Sequence, residues 1–304
     1  MTEHGWIILD KPVGLGSTQA VSAVKRVLRQ GGHGKVKVGH GGTLDPLASG
    51  VLPIALGEAT KVTGRMLDAS KTYDFTIGFG AQTDTLDTEG QVVAVSDVRP
   101  ALEEVIAALP GFTGPIEQMP PAYSALKVDG QRAYDLARAG QDVQLAVRSV
   151  EVFSLGRVNG PDGDAPDSIT LRADVSKGTY IRSLARDIAL ALGTVGHVTY
   201  LRRTKAGPFG LESAISLDKL EEIAKGAPLE NVLLPLEAAL VDIPALNLDP
   251  EQARAVRQGR VLAGLPQVDG LHLARSGRVP VALVELSGGE ARVVRGFNFP
   301  DVAE

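Results

Sequence analysis

The stretch "KTYDFTIGFG", Lys71 to Gly80, alternates strictly and puts Tyr73, Phe75, Ile77 and Phe79 on one face. A repeat of two is the signature of a strand with one buried side, and no helix can use it. A second stretch, "SITLRADV", does the same with Ile169, Leu171, Ala173 and Val175. Any fold available to this chain must therefore contain a sheet with a covered face. Two segments with helical spacing can supply the cover. Val21, Val24 and Leu28 predict a helix from a Ser17 cap to about Gln30, with Lys25, Arg26 and Arg29 towards water. Ile181, Leu184, Ile188 and Leu192 form a second stripe, with Thr179 as candidate cap and Gly193 as stop.

Between these elements the chain is less regular. Ile7 to Leu9 suggest a short strand and Val51 to Leu56 a buried segment, joined by the glycine-rich, basic "GGHGKVKVGHGG". The acidic "TDTLDTEG" reads as a loop, and "PALEEVIAAL" as a helix opened by proline. From about residue 113 to 150 prolines argue against regular structure until a short helix ending at Gly140. Tyr123, Lys127 and Arg132 lie along this insertion, which reads as a cover over a ligand. Beyond Ile243–Pro250 the sequence turns to short strands joined by Ser-Gly turns, with two hairpin signals and little helix. The expected division is a main domain over 1–245 and a small β-rich appendage over 246–304.

Several chemistries lose their usual evidence. There is no cysteine, and the five histidines are scattered without metal-ligand spacing. "GLGSTQ" has Gln19 where a dinucleotide fingerprint needs its third glycine, and "GHGGT" lacks the lysine of a phosphate loop. The expectation is a protein that uses neither metal nor cofactor. With no long apolar run and no leader-like start, a cytoplasmic protein without membrane contact is expected. The net charge of −5 argues against a polyanionic partner, but the charge is polarised. Residues 1–40 carry six Lys or Arg against two acids and residues 171–210 seven against two, whereas residues 81–120 carry one base against seven acids. Basic blocks of this kind suit either a solvated face or an anionic ligand.

Three residues stand out. Asp45, in "GHGGTLDPLASGVLP", is either a turn-forming Asp-Pro or a catalytic carboxylate at the mouth of a pocket. Tyr73, at the entry of its strand, reads as a core aromatic whose hydroxyl could reach the edge of the core. Arg182 lies in the first turn of its helix, where the dipole disfavours a cation, so it is either a solvent-facing arginine or one required by something else.

Taken in order, "DKPVGLGS", "GHGGTLDPLASGVLPIALGEATK", "KTY", "VSKGTYIRSLARD" and "YLRRTKAGPF" resemble the TruB-type pseudouridine synthases over nearly the whole chain. These enzymes isomerise the uridine at tRNA position 55, in the T stem-loop. The resemblance implies an α+β fold, a mixed and largely antiparallel sheet flanked by helices, with a PUA-like RNA-binding tail. It implies Asp45 as the catalytic aspartate, Tyr73 as the platform for the target base and Arg182 as the partner of the aspartate. It further implies substrate contacts at His40, Gly41, Tyr180, Leu201 and Arg202, with Lys11 and Pro12 supporting the catalytic loop, tRNA as partner, and a monomer.

The chemistry agrees with these residue types. Isomerisation breaks the base N1–ribose C1′ bond and joins C5 to the same carbon, so no cofactor is called for. A carboxylate shut away from water rises above its ordinary ~3.9, while a guanidinium within roughly 4 to 6 Å lowers it by about 1 to 3 units. A bidentate Arg182–Asp45 pair would supply that counter-charge and aim the carboxylate. Glycines at 39, 41 and 42 are expected to let backbone approach the RNA. A non-catalytic RNA-binding or tRNA-folding protein, and a carboxylate glycosidase, are the competing readings.

Overall fold

The computed structural model describes residues 3–124, 126–128, 131–139, 145–159, 167–226 and 228–299. Gly140 lies outside them, and at Lys127 and Arg132 the backbone alone is described. The two alternating stretches are neighbours. β1 (Gly5–Lys11), β2 (Val38–His40), β3 (Ser49–Leu56) and β4 (Lys71–Phe79) join a mixed sheet in which β4 lies between the strands Gly196–Ala206 and Ser168–Val175. From one edge the order is Ala214–Ile215, β1, β3, Gly196–Ala206, β4, Ser168–Val175, Arg148–Arg157, Gly114–Gln118, with β2 added on β3. Pairing is parallel only at the first step and between β3 and Gly196–Ala206. The architecture is α+β with a mixed, largely antiparallel sheet.

Alternation sorts the sheet into two faces. Ile7, Leu9, Leu52, Ile54, Phe75 and Ile77 point to one side, where α1 (Ser17–Gln30) and the helix Ile181–Ala191 cover them. Trp6, Ile8, Val51 and Ala55 point to the other and meet Leu236, Leu273, Leu283 and Phe297. Each fully buried large side chain here contributes about 1.5–3 kcal/mol, so both faces are firmly specified and a one-residue slip of register is excluded.

Three local expectations change. Ser17 is the first residue of α1 and Gly16 its cap; Gln19 Oε1 accepts from the Gly16 amide at 2.8 Å, which leaves the Ser17 hydroxyl for another task. Thr179 is not a cap either. Its hydroxyl donates to the Ser176 carbonyl at 3.0 Å, while Tyr180 occupies the cap position and its amide is satisfied by Gln118 Oε1 at 2.7 Å. In the insertion, Gly114–Gln118 forms a strand against Arg148–Arg157 before the prolines intervene.

The C-terminal segment folds as a four-stranded sheet, Ala245–Asn247, Gly270–Ser276, Val279–Ser287 and Glu290–Gly296, with hairpin turns at Gly277 and at Gly288–Gly289. It also has a helix, Pro250–Arg257, opened by an Asp249 cap that accepts from the Gln252 amide at 2.8 Å. Leu246, Val256, Ala274 and Val284 give this unit its own core, while Phe297 and Leu273 share a cluster with Trp6.

Candidate active site

The site begins with the anchoring of one loop. Lys11 ends β1 fully buried, and its ammonium donates to the carbonyls of Pro12 at 2.9 Å, Leu15 at 2.7 Å and Pro46 at 3.3 Å. Ser17, freed from capping, donates its hydroxyl to the Leu44 carbonyl at 2.9 Å and accepts from the Leu44 amide at 2.8 Å. These bonds grip the chain on either side of Asp45. Burial holds Lys11 down to about 8, against a smaller upward pull from Asp45. Pro12 is exposed beside this anchor.

The guanidinium of Arg182 meets the carboxylate of Asp45 at 2.9 Å through Nη2. It is not a bidentate pair. Nη1 turns instead to a second carboxylate, Asp87, at 3.3 Å and to the Thr85 carbonyl at 2.8 Å, and Nη2 also donates to the Tyr123 carbonyl at 3.0 Å. Asp87 is 2% exposed; its other oxygen accepts from the Thr85 hydroxyl at 2.6 Å and the Glu89 amide at 3.0 Å. Just before it, Leu86 has a φ of 62°, the one positive φ among the described non-glycine residues. A left-handed leucine costs roughly 1–2 kcal/mol, and it immediately precedes the buried Asp87. Arg182 therefore belongs to the first turn of its helix because two acids and two carbonyls receive it there. Burial, and then the charges of Asp87 and Asp45, push Glu89 above the usual carboxylate range.

A cavity of about 340 Å³ opens beside this network, lined by Asp45, Tyr73, Arg182 and Leu201 together with Lys71 and Arg203. Tyr180 and Gly42 also line it, and Leu126 brings the insertion to its edge. Burial pushes the Tyr180 phenol up, and burial with the nearby charge of Arg203 holds Lys71 down to about 8. Asp45, Tyr73, Arg182, Tyr180 and Leu201 thus share one space.

Other expected residues sit elsewhere. Arg202 points away from the cavity, bonding Asp10 at 2.8 Å and Ser49 at 3.2 Å. Gly41 is buried, and a Cβ there would come within 2.8 Å of Met66; its smallness serves packing against the core and not the approach of a ligand. Of Gly39, Gly41 and Gly42, it is Gly42, with φ of 141°, that lines the cavity. His40 is half-buried at the end of β2, outside the lining, and burial holds its imidazole below the ordinary value. Sequence reasoning missed Asp87, although the acidic "TDTLDTEG" contained it, and it missed Arg203, adjacent to Arg202 in "YLRRTKAGPF". The signal was there: with Leu201 facing inward, alternation along the strand turns Arg203 to the same side and Arg202 to the other, and the register shifts fall before and after these three residues.

Comparison with known proteins gives the chain a family. The family described as TruB family pseudouridylate synthase (N terminal domain) matches residues 25–181, and the tRNA pseudouridylate synthase B C-terminal domain matches residues 182–241. A protein of Novosphingobium aromaticivorans named tRNA pseudouridine synthase B is 70% identical over 302 residues, covering 99% of both chains. One of the same name from Zymomonas mobilis is 59% identical over 296 residues, covering 97% of this chain and 96% of the other. Among solved structures, a chain of an H/ACA RNP bound to a substrate RNA containing 2′-deoxyuridine superposes with TM-score 0.73 at 27% identity, covering 98% of this chain and 86% of that one. An archaeal box H/ACA sRNP Nop10-Cbf5 complex gives 0.71 at 27% identity over 99% and 88%. With both domain matches and relatives of such identity along its length, the chain belongs to the TruB family of pseudouridylate synthases.

Proposed function

We infer that this chain is an isomerase that converts uridine in tRNA to pseudouridine, at position 55 of the T stem-loop. The observation that carries the reading is the Arg182–Asp45 pair at a cavity that also holds Tyr73 and Leu201, in a chain of this family.

The target nucleoside reaches such a cavity only after leaving its stack, at a cost of a few kcal/mol. Stacking on Tyr73 returns about 1–3 kcal/mol, with Leu201 as an apolar wall beside it. Asp45 is the acting carboxylate, oriented by Arg182 and by the anchored loop. The N1–C1′ bond breaks, the base turns, C5 joins C1′, and the C5 proton leaves while N1 gains one; Tyr73 serves in that proton transfer, directly or through water. His40, Tyr180 and the half-buried Arg202–Asp10 pair lie around this centre as RNA contacts, and Lys11 with Pro12 supports the loop. The four-stranded tail serves as a PUA-like RNA-binding unit, and the protein works as a cytoplasmic monomer.

The test is incubation with an unmodified tRNA transcript followed by chemical mapping of pseudouridine. Modification at one T-loop uridine with unchanged RNA mass is expected. A loss of mass would instead indicate base excision. Tight binding without pseudouridine would favour an RNA-folding protein.

A further inference from the structure

Arg203 is a guanidinium, 1% exposed, with no carboxylate within 4.0 Å among the described residues. Its strand pairs it with Tyr73 on one side and with Gly50 on the other. Gly50 has a φ of 102°, and any Cβ there would lie 2.2 Å from the Arg203 carbonyl oxygen, so the backbone is drawn in tightly around it. Nε donates to the Val51 carbonyl at 2.7 Å; Nη1 donates to the Thr43 carbonyl at 3.0 Å and lies 3.5 Å from the Tyr73 hydroxyl; Nη2 has no partner among the described residues. A buried charge is normally paired, because an isolated one is costly. Here the reverse holds: the positive charge of Arg203 helps to hold down Lys11, Lys71 and His40 around it. Arg203 thus adds positive charge to a cavity wall that also carries Lys71.

We propose that Arg203 is a positioning residue that stabilises the anionic uracil of the reaction through Tyr73, while tying Tyr73 to the Asp45 loop at Thr43. The inference rests on the isomerase reading. When the N1–C1′ bond breaks, its electron pair stays on N1 and the charge spreads to O2 and O4. The pair used in the new bond comes from C5, the C5 proton departs, and N1 takes up a proton, so the base is neutral again. Negative charge exists only between these steps, and the guanidinium beside the Tyr73 hydroxyl is placed to act on it. The RNA phosphate is the other available anion, but its charge is present in the ground state as much as in the transition state.

The experiment measures single-turnover consumption of the target nucleoside in tRNA transcripts made with uridine or with 5-fluorouridine, whose electron-withdrawing fluorine stabilises the anion without help. Arg203→Gln is expected to slow the uridine substrate at least 100-fold but the fluorinated one at least tenfold less, with the Kd for tRNA unchanged. Arg203→Lys, which keeps the charge but not the fork, is expected to show a smaller defect with the same direction of difference, at least threefold. Should Arg203→Gln not fold, the lysine variant decides alone. Equal losses on both substrates, or a tenfold weaker Kd, overturn the inference. If the wild type makes no pseudouridine, it is the functional reading that fails instead.

Discussion

At the scale of single residues, the site is organised by a guanidinium shared between two carboxylates. Asp87 holds Nη1 of Arg182, so Nη2 is left at a fixed angle for Asp45. An Asp87→Asn substitution keeps the shape but removes one of the two negative charges, and Arg182 can then recentre on Asp45 or withdraw. We expect a single-turnover rate about 10–100-fold lower and a stability loss of about 2–3 kcal/mol, below the 3–5 kcal/mol of a fully orphaned buried charge because Asp45 remains; urea titration and rapid-quench assays measure the two. Asp45→Asn is expected to keep fold and tRNA affinity and to abolish tritium release from C5. Arg182→Lys is expected to be nearly as inactive, because an ammonium cannot satisfy two carboxylates and two carbonyls from one plane. Motif order disclosed Asp45, Tyr73 and Arg182. It did not disclose Asp87, which lies in an irregular loop after Leu86, nor Arg203, although alternation from Leu201 puts Arg203 on the cavity side of its strand.

At the scale of elements, β1, α1 and the 41–46 loop act as one piece. The alternation in β4 and Ser168–Val175 made those strands readable, and the 3.6-residue stripes made both helices readable. Their caps were not, because side chains that could cap were recruited elsewhere: Ser17 by Leu44 and Thr179 by Ser176. The strand Gly114–Gln118 was hidden by its proline and glycine, and is held only by pairing with a segment distant in sequence. The Lys11 anchor has a measurable pH signature. Its folded value of about 8 lies below the ordinary 10.5. Below pH 8 both states are protonated and the fold bears the whole burial cost. Between about 8 and 10.5 the unfolded chain holds a proton that the folded chain has lost, so stability rises with pH, by at most about 3 kcal/mol. Activity should move the other way, since the neutral amine has two N–H donors for three carbonyls. We expect a falling alkaline limb in the single-turnover rate above about pH 8. In Lys11→Met the neutral-pH rate should be reduced at least tenfold, and the rise in stability between pH 8 and 10 should be smaller than in the wild type.

At the scale of the whole molecule, a chain of net charge −5 has to attract a polyanion. It does so by keeping some cations free of acids. Many exposed cations are paired, as Arg65 is with Asp242 and Lys177 with Asp68. Lys25, Arg29 and Lys35 are exposed without an ion pair among the described residues, around a groove of about 500 Å³ floored by Leu28, Val36 and Val38. α1 links this groove to the catalytic loop: its first residue, Ser17, bonds Leu44, and Arg29 lies twelve residues further on, about 18 Å away. RNA seated with one nucleoside in the cavity can run its backbone along that helix. If three phosphates are met there, neutralising all three cations to alanine should flatten the plot of log K against log salt by about 2–3, at roughly 0.9 per phosphate. The Kd for tRNA should rise at low salt and converge with that of the wild type at high salt, while the single-turnover rate at saturating tRNA stays unchanged. A rate loss at saturation with an unaltered salt slope would mean that these residues act on the chemistry through α1 and not on the RNA.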